Sequence, residues 1–250
     1  MKPITVVMIG NSNNELIKFS IEKTIKTIDC EHVITFTTDK ISNDYQHVPV
    51  ISDFTYFDYN YFCLKNLWAF IQTDYVLIIH PDGMAVNSQY WTDEYLNYDY
   101  IGAPWPEKYS WIYPEERVGN GGFTLRSRKL LYAIRDDQVR IIKGSDRTEN
   151  EDAVICQNFG QYLKHKHQIK FAPIEIANVF SHELSNFTGE TLGFHGAWNA
   201  PLYFNEEEVE FMINHLKKQY WNEDRLGMFF DNCKKVNYNK VPLALLNKIS

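Results

Sequence analysis

The sequence predicts an α/β protein with a doubly wound sheet, and three observations carry that prediction. Short apolar runs alternate with segments whose apolar residues recur at helical spacing. The run at residues 74–79, DYVLII, is unbroken enough for a strand buried on both faces. At 250 residues, the chain suits one large domain or one domain with an added piece.

In order, residues 4–9 form a continuous apolar run and predict a first parallel strand. Asn13 or Asn14 can cap the next segment, whose Leu16, Ile17, Ile21, Ile25 and Ile28 fall on one helical face. Residues 32–37 and 48–51 read as the second and third strands. Asp58 opens a helix with Phe62, Leu64, Leu67, Trp68 and Ile71 on its apolar side, and the strand at 74–79 follows. In a doubly wound sheet ligands bind beyond the C-terminal strand ends, so the residues after Ile79 take priority. The second half predicts strands at 100–103 and 119–125, helices at 127–134 and 151–163, and a short strand at 169–172. An amphipathic helix at 205–221 carries Glu206, Glu207 and Glu208 in its first turn and Lys217 and Lys218 near its end, as the helix dipole favours. With no repeat, low-complexity tract or linker, the expected organisation is a main domain at 1–204 and a helical extension at 205–250 packed on it.

Composition narrows the function classes. Apolar residues make up 44%, aromatic residues 15% and charged residues 23%, which excludes disordered, collagen-like and coiled-coil chains. A net charge of -7 without a local basic patch argues against a nucleic-acid partner. No apolar run approaches the roughly 18 to 20 residues of a membrane span, and the apolar start, MKPITVVMIG, ends too abruptly for a signal peptide. A cytoplasmic location is therefore expected, where the sequon at Asn186-Phe187-Thr188 is silent. Cys30, Cys63, Cys156 and Cys233 are scattered, without zinc-module spacing, and read as free thiols.

Four clusters can carry chemistry. His80-Pro81-Asp82-Gly83 follows the buried strand: Pro81 stops the ladder, Gly83 permits a sharp turn, and Asp82 is presented where a cation or a ribose could be met. An Asp-Gly turn with no ligand has the same appearance. Gly119-Asn120-Gly121-Gly122 fits neither a dinucleotide fingerprint nor a phosphate-binding loop. Its glycines let backbone lie close to a substrate, or form a tight bulge. Glu149-Asn150-Glu151-Asp152 begins a helix, where acidic residues serve the dipole or act as a base. Gly193-Phe194-His195-Gly196 sets an imidazole between glycines, as a metal ligand or as a structural residue.

The order of these clusters is more specific than any one of them. DYVLIIHPDG, WTDEYLNYDYIGAPWP, VGNGGFTLRSRKLL, NEDAVIC, FAPIEIANVFS and GETLGFHG, between residues 53 and 196, resemble a family of glycosyltransferase-like proteins of the GT-A type. Their layout is similar to that of inverting β-galactosyltransferases and fringe-like transferases. The resemblance implies a nucleotide-sandwich, Rossmann-like mixed sheet flanked by helices, a nucleotide-diphosphate-sugar donor, usually UDP-linked, and a divalent cation, usually Mn2+, with Mg2+ as the alternative. The expected partners are this donor and a glycan or other hydroxyl acceptor. By the same resemblance, Asp82 falls where the family's metal-binding Asp-x-Asp motif ends, and His80 replaces its first carboxylate. His195 matches a late histidine that completes the metal site. Glu151 and Asp152 match the acidic pair from which inverting enzymes draw a base, Asp152 being the first choice. Asn11 and Asp39 stand by position at strand ends where the nucleotide is held, with Gly83, Gly121 and Gly122 beside the donor. The expected activity is hexosyl transfer. The alternatives are a glycan- or nucleotide-sugar-binding module of the same fold and, more remotely, a metal-dependent phosphoesterase.

Overall fold

A computed structural model describes residues 2–10, 13–51, 54–108, 117–141, 150–185 and 187–249. Its centre is a six-stranded mixed sheet in the order β3-β2-β1-β4-β7-β6, formed by β1 (Lys2–Ile9), β2 (Cys30–Thr37), β3 (Gln46–Pro49), β4 (Tyr75–Ile79), β6 (Tyr100–Ile101) and β7 (Phe123–Ser127). The first four run parallel, while β7 is antiparallel to both β4 and β6. Successive strands wind outward from β1 to β3, and the chain then returns to place β4 on the other side of β1. That reversal opens a crevice beyond the C-terminal ends of β1 and β4, the usual ligand position in such sheets. β1 and β4 are buried almost throughout, which explains why both read as unbroken apolar runs.

A second sheet of three short strands, β5 (Gly83–Ala85), β9 (Gly193–His195) and β8 (Ser181–His182), lies beside this crevice in the order β5-β9-β8. The helix α1 (Asn14–Thr27), capped by the Asn13 side chain, fixes its start. Ser20 Oγ donates to the Pro81 carbonyl at 2.6 Å, and Thr24 Oγ1 accepts from the Ala85 amide at 3.3 Å. A helix belonging to the first βαβ unit thus holds the turn that carries Asp82. On the other side of the crevice, α2 (Tyr56–Lys65) begins two residues before the predicted start because Thr55 and Asp58 form a reciprocal cap.

Several expected elements are altered. The helix predicted at 151–163 is divided into α4 (Glu151–Ala153), a π turn (Val154–Asn158) and α5 (Gly160–His167), following the short α3 (Arg128–Ala133). π turns are rare, occur mostly as single turns inside helices, and are frequent at functional sites. The strand expected at 169–172 is reduced to a single bridge between Tyr100 and Phe171, and α6 (Ile174–Phe180) comes next. The strand expected from 119 begins at Phe123, since the glycines before it make a turn. The helix predicted at 205–221 ends as α7 (Glu206–His215), so Lys217 and Lys218 lie outside it. Leu216 turns to extended backbone, and the chain brings Tyr220 back against Asp82. This tertiary contact has no helical-period signal.

The C-terminal part continues with α8 (Glu223–Lys235) and α9 (Lys240–Ile249). A hydrophobic cluster joins Leu16, Met84, Phe194, Trp198 and Phe204 to Val209, Met212, Phe229, Val241 and Leu245, so apolar packing crosses the expected 204/205 boundary without a break. Glu208 also pairs with Lys23 of α1. Among the described residues, no helix is long and apolar enough to cross a membrane. All four cysteines are free thiols.

Candidate functional site

The turn after β4 is tied down on every side. The His80 amide donates to the Gly122 carbonyl at 3.0 Å, Gly83 N–H to the His80 carbonyl at 3.0 Å, and Gly196 N–H to the Asp82 carbonyl at 2.8 Å. Gly83 is required here because a Cβ would fall 2.4 Å from the Gly122 oxygen. The pairing of β5 with β9 sets Gly83 opposite His195, so residues more than a hundred positions apart in sequence share one corner. At that corner His80, Asp82 and His195 can each offer one ligand atom within 4.8 Å of the others. Two imidazoles and a carboxylate are a donor set that suits a divalent transition metal better than Mg2+, which prefers oxygen alone.

The groups around this triad set its electrostatics. His195 Nε2 lies 3.6 Å from Asp82 Oδ1, while its Nδ1 lies 2.9 Å from Glu183 Oε1. Glu183 follows β8, next to His195 at the end of the parallel β9, and its other oxygen accepts from Asn120 Nδ2. An Nδ1–H donated to a carboxylate leaves Nε2 as the ligand atom, the usual way an imidazole is oriented toward a metal. Burial opposes the charge on His195, but Asp82 and Glu183 outweigh it and raise its pKa to about 10, so without a cation the ring is protonated, and a metal bound at Nε2 would have to displace that proton. For Asp82 burial acts upward and is overcome by His195, His80 and the Tyr220 hydroxyl, which hold the carboxyl well below its ordinary range. Tyr220 Oη donates to Asp82 Oδ2 at 2.7 Å and accepts from the Ala197 amide at 2.8 Å. His80 is pushed down to about 4 by burial first and by neighbouring His195 second, so it is neutral, as a metal ligand must be. Its Nε2 lies 2.8 Å from the Tyr59 hydroxyl.

The turn at 120–122 links this corner to the acidic pair. Asn120 takes a left-handed conformation, φ 56°, and its side chain bonds both Glu183 and the Gly122 amide. The Gly121 amide donates to Asp152 Oδ2 at 2.9 Å, and the Ala153 amide donates to Asp152 Oδ1 at 2.7 Å. Burial, and then the charge of Glu151, raise the Asp152 carboxyl to about 7 against the pull of these two amides. A carboxylate with that pKa can take up a proton near neutral pH. Glu151 has a different setting. It is 2% exposed, and its Oε1 receives Arg126 Nη2 at 2.7 Å and the Tyr59 hydroxyl at 3.3 Å. Arg126 is fully buried against the Tyr100 ring, and this ion pair engages the carboxylate considered as the alternate base.

The glycines also make room inside the protein. A Cβ on Gly122 would meet the His195 ring at 2.2 Å, and one on Gly121 would meet Glu151 Oε1 at 2.3 Å. The space on the Cβ side of both is filled by the protein's own side chains. Gly122→Val is expected to displace His195, weaken metal binding and lower stability by about 1–3 kcal/mol, as overpacking does. Metal calorimetry and a thermal melt on the same sample check both effects.

Of the remaining predicted positions, Asn11 lies outside the described residues. Asp39 is exposed and accepts from Asn14 Nδ2 at 3.3 Å. Sequence reasoning missed Glu183, Tyr220, Tyr59 and Arg126. Each acts through a contact made only in the folded chain, although a charged residue inside the β7 apolar stretch could have flagged Arg126.

This mixed sheet flanked by helices is the GT-A fold of nucleotide-sugar-binding glycosyltransferases. Superposed on the galactosyltransferase LgtC, solved with donor and acceptor sugar analogues, it gives a TM-score of 0.50 at 10% identity, covering 90% of this chain and 99% of that one. Against the glucosyl-3-phosphoglycerate synthase of Mycobacterium tuberculosis, solved with Mn2+, UDP and phosphoglyceric acid, the TM-score is 0.41 at 12% identity, covering 68% and 66%. The chain belongs to the family described as "Protein of unknown function (DUF5672)", which matches residues 54–195. No curated protein sequence matches it significantly.

Proposed function

We propose that the protein is a metal-assisted glycosyltransferase moving a hexose from a UDP-linked donor to an acceptor hydroxyl with inversion. The observation that carries this reading is the His80-Asp82-His195 triad at the end of β4, at the ligand-binding edge of a GT-A sheet. Asp82, His195 and His80 would hold the ion, which when bound supplies positive charge toward the diphosphate leaving group. Glu183 and Tyr220 orient His195 and Asp82 for that task. The donor set favours Mn2+ over Mg2+. Asp152 takes the proton of the acceptor hydroxyl as its oxygen bonds to the anomeric carbon, and the bond from that carbon to the diphosphate breaks, UDP leaving with the electron pair. Residues 205–250 form an extension that delivers Tyr220 to the site.

A panel of UDP- and GDP-sugars, incubated with and without Mn2+, tests the reading. Slow release of UDP from one donor, stimulated by Mn2+, is the expected result. Donor binding without any metal-stimulated hydrolysis would favour a binding module, and no donor binding would remove the transferase reading.

A further inference from the structure

Beside the His80-Asp82-His195 corner lies a cavity of about 210 Å3, between the segment that follows β8 and one face of α8. Its walls include Glu183, Phe187, Asn199, Met228, Asp231 and Lys235. Because β8 runs parallel to β9, the residues after Glu183 and the residues after His195 leave the sheet at the same edge. Asn199 forms the partition: its Nδ2 donates to the Glu183 carbonyl at 2.8 Å and to the His195 carbonyl at 2.9 Å. One residue therefore separates the cavity from a triad histidine.

From this cavity we infer a subsite for one neutral pyranose ring of the acceptor, an assignment whose acceptor part rests on the transferase reading above. Three features select that ligand. The volume holds about one sugar ring and is far too small for a nucleotide sugar, whose pockets run to several hundred Å3. The lining charges are Glu183, whose carboxylate is already engaged by His195 and Asn120, and the opposite charges of Asp231 and Lys235, a mixture that disfavours a diphosphate or an acidic ligand. Phe187 is 37% exposed, packs against Tyr203 and His182, and offers its remaining apolar surface to the C–H face of a ring. Opposite it, Lys235 Nζ already bonds Asn232 Oδ1 at 2.9 Å and Asp231 Oδ1 bonds Lys234 at 3.1 Å. The remaining ammonium protons of Lys235 and Asp231 Oδ2 have no partner among the described residues, and a pair of adjacent hydroxyls can use both.

Protein labelled with 13C at methionine methyls provides a local reporter, since Met228 lines the cavity while Met8 and Met84 are fully buried elsewhere. Titration with the methyl pyranosides of glucose, galactose, mannose and N-acetylglucosamine is expected to shift the Met228 signal with at least one of them and leave Met8 unmoved. Phe187→Ala and Asp231→Asn should each abolish that shift, and Asp231→Asn, on an exposed side chain, should do so with the melting temperature unchanged. The subsite is overturned if no pyranoside moves Met228 or if the shift survives in both variants. A further arm adds UDP or a UDP-hexose with Mn2+: if the UDP-hexose occupies the cavity and blocks the pyranoside while UDP does not, the ring bound there is the donor's and the acceptor assignment falls. Pyranoside binding is read without turnover, so a failed transferase assay and an absent subsite give different results.

Discussion

Asp152→Asn is expected to reduce transfer on the order of 100-fold or more, the usual contribution of a general base, with UDP-sugar affinity nearly unchanged. The amide keeps an oxygen for one of the two backbone donors but cannot take a proton. The pH dependence follows from the Asp152 carboxyl, which burial and Glu151 raise to about 7. The active form of a base is deprotonated, so kcat/KM should fall about tenfold per pH unit below 7 and level off above it, and the variant should lose that limb. Glu151→Gln makes the contrast. Removing its charge leaves buried Arg126 uncompensated, which costs about 3–5 kcal/mol of stability. Steady-state rates between pH 5 and 9, with melts of both variants, separate a rate effect at Asp152 from a stability effect at Glu151. A normal rate in Asp152→Asn would end the inverting mechanism proposed here.

Asp82→Ala should lower Mn2+ affinity by at least about 100-fold, beyond the 10- to 100-fold that losing an orienting partner costs, and with it the Mn2+-dependent part of UDP binding. His195→Ala should act in the same direction. Glu183→Ala leaves all three ligands in place and should stay within the smaller range, since it removes only the partner of His195 Nδ1. Calorimetry with Mn2+ alone, followed by UDP in its presence and absence, checks the ranking. The side chain of Asp82 sits on a turn pinned through its backbone carbonyl by Gly196, so the fold should persist in Asp82→Ala. Unchanged metal affinity in Asp82→Ala would reduce the residue to a turn former.

Both experiments act on residues whose positions were legible in the chain to different degrees. The run DYVLII is the most convincing buried strand in the chain, and in an α/β sheet the residues after such a strand face the ligand edge, so Asp82 was reachable from pattern alone. Asp152 and Glu151 are neighbours with the same chemistry, and nothing local separates them. Their difference arises because α4 turns Glu151 inward to Arg126 while Asp152 faces the amides of Gly121 and Ala153. The glycines of 119–122 announced a close approach without saying to what. The fold answers that Gly122 makes room for His195.

By itself the sequence determined the parallel βα units, the crevice edge at Asp82 and the general composition of a globular α/β chain, because hydrophobic periodicity and turn chemistry are local and are written residue by residue. Only the tertiary structure decided that His80, Asp82 and His195 converge, that Glu183 and Tyr220 orient them, and that the predicted helix at 205–221 stops at His215. Those outcomes depend on pairings such as Gly83 with His195 and Asp82 with Tyr220, across more than a hundred residues. The energy of such contacts appears only once distant segments are packed together, and short-range spacing carries no record of it.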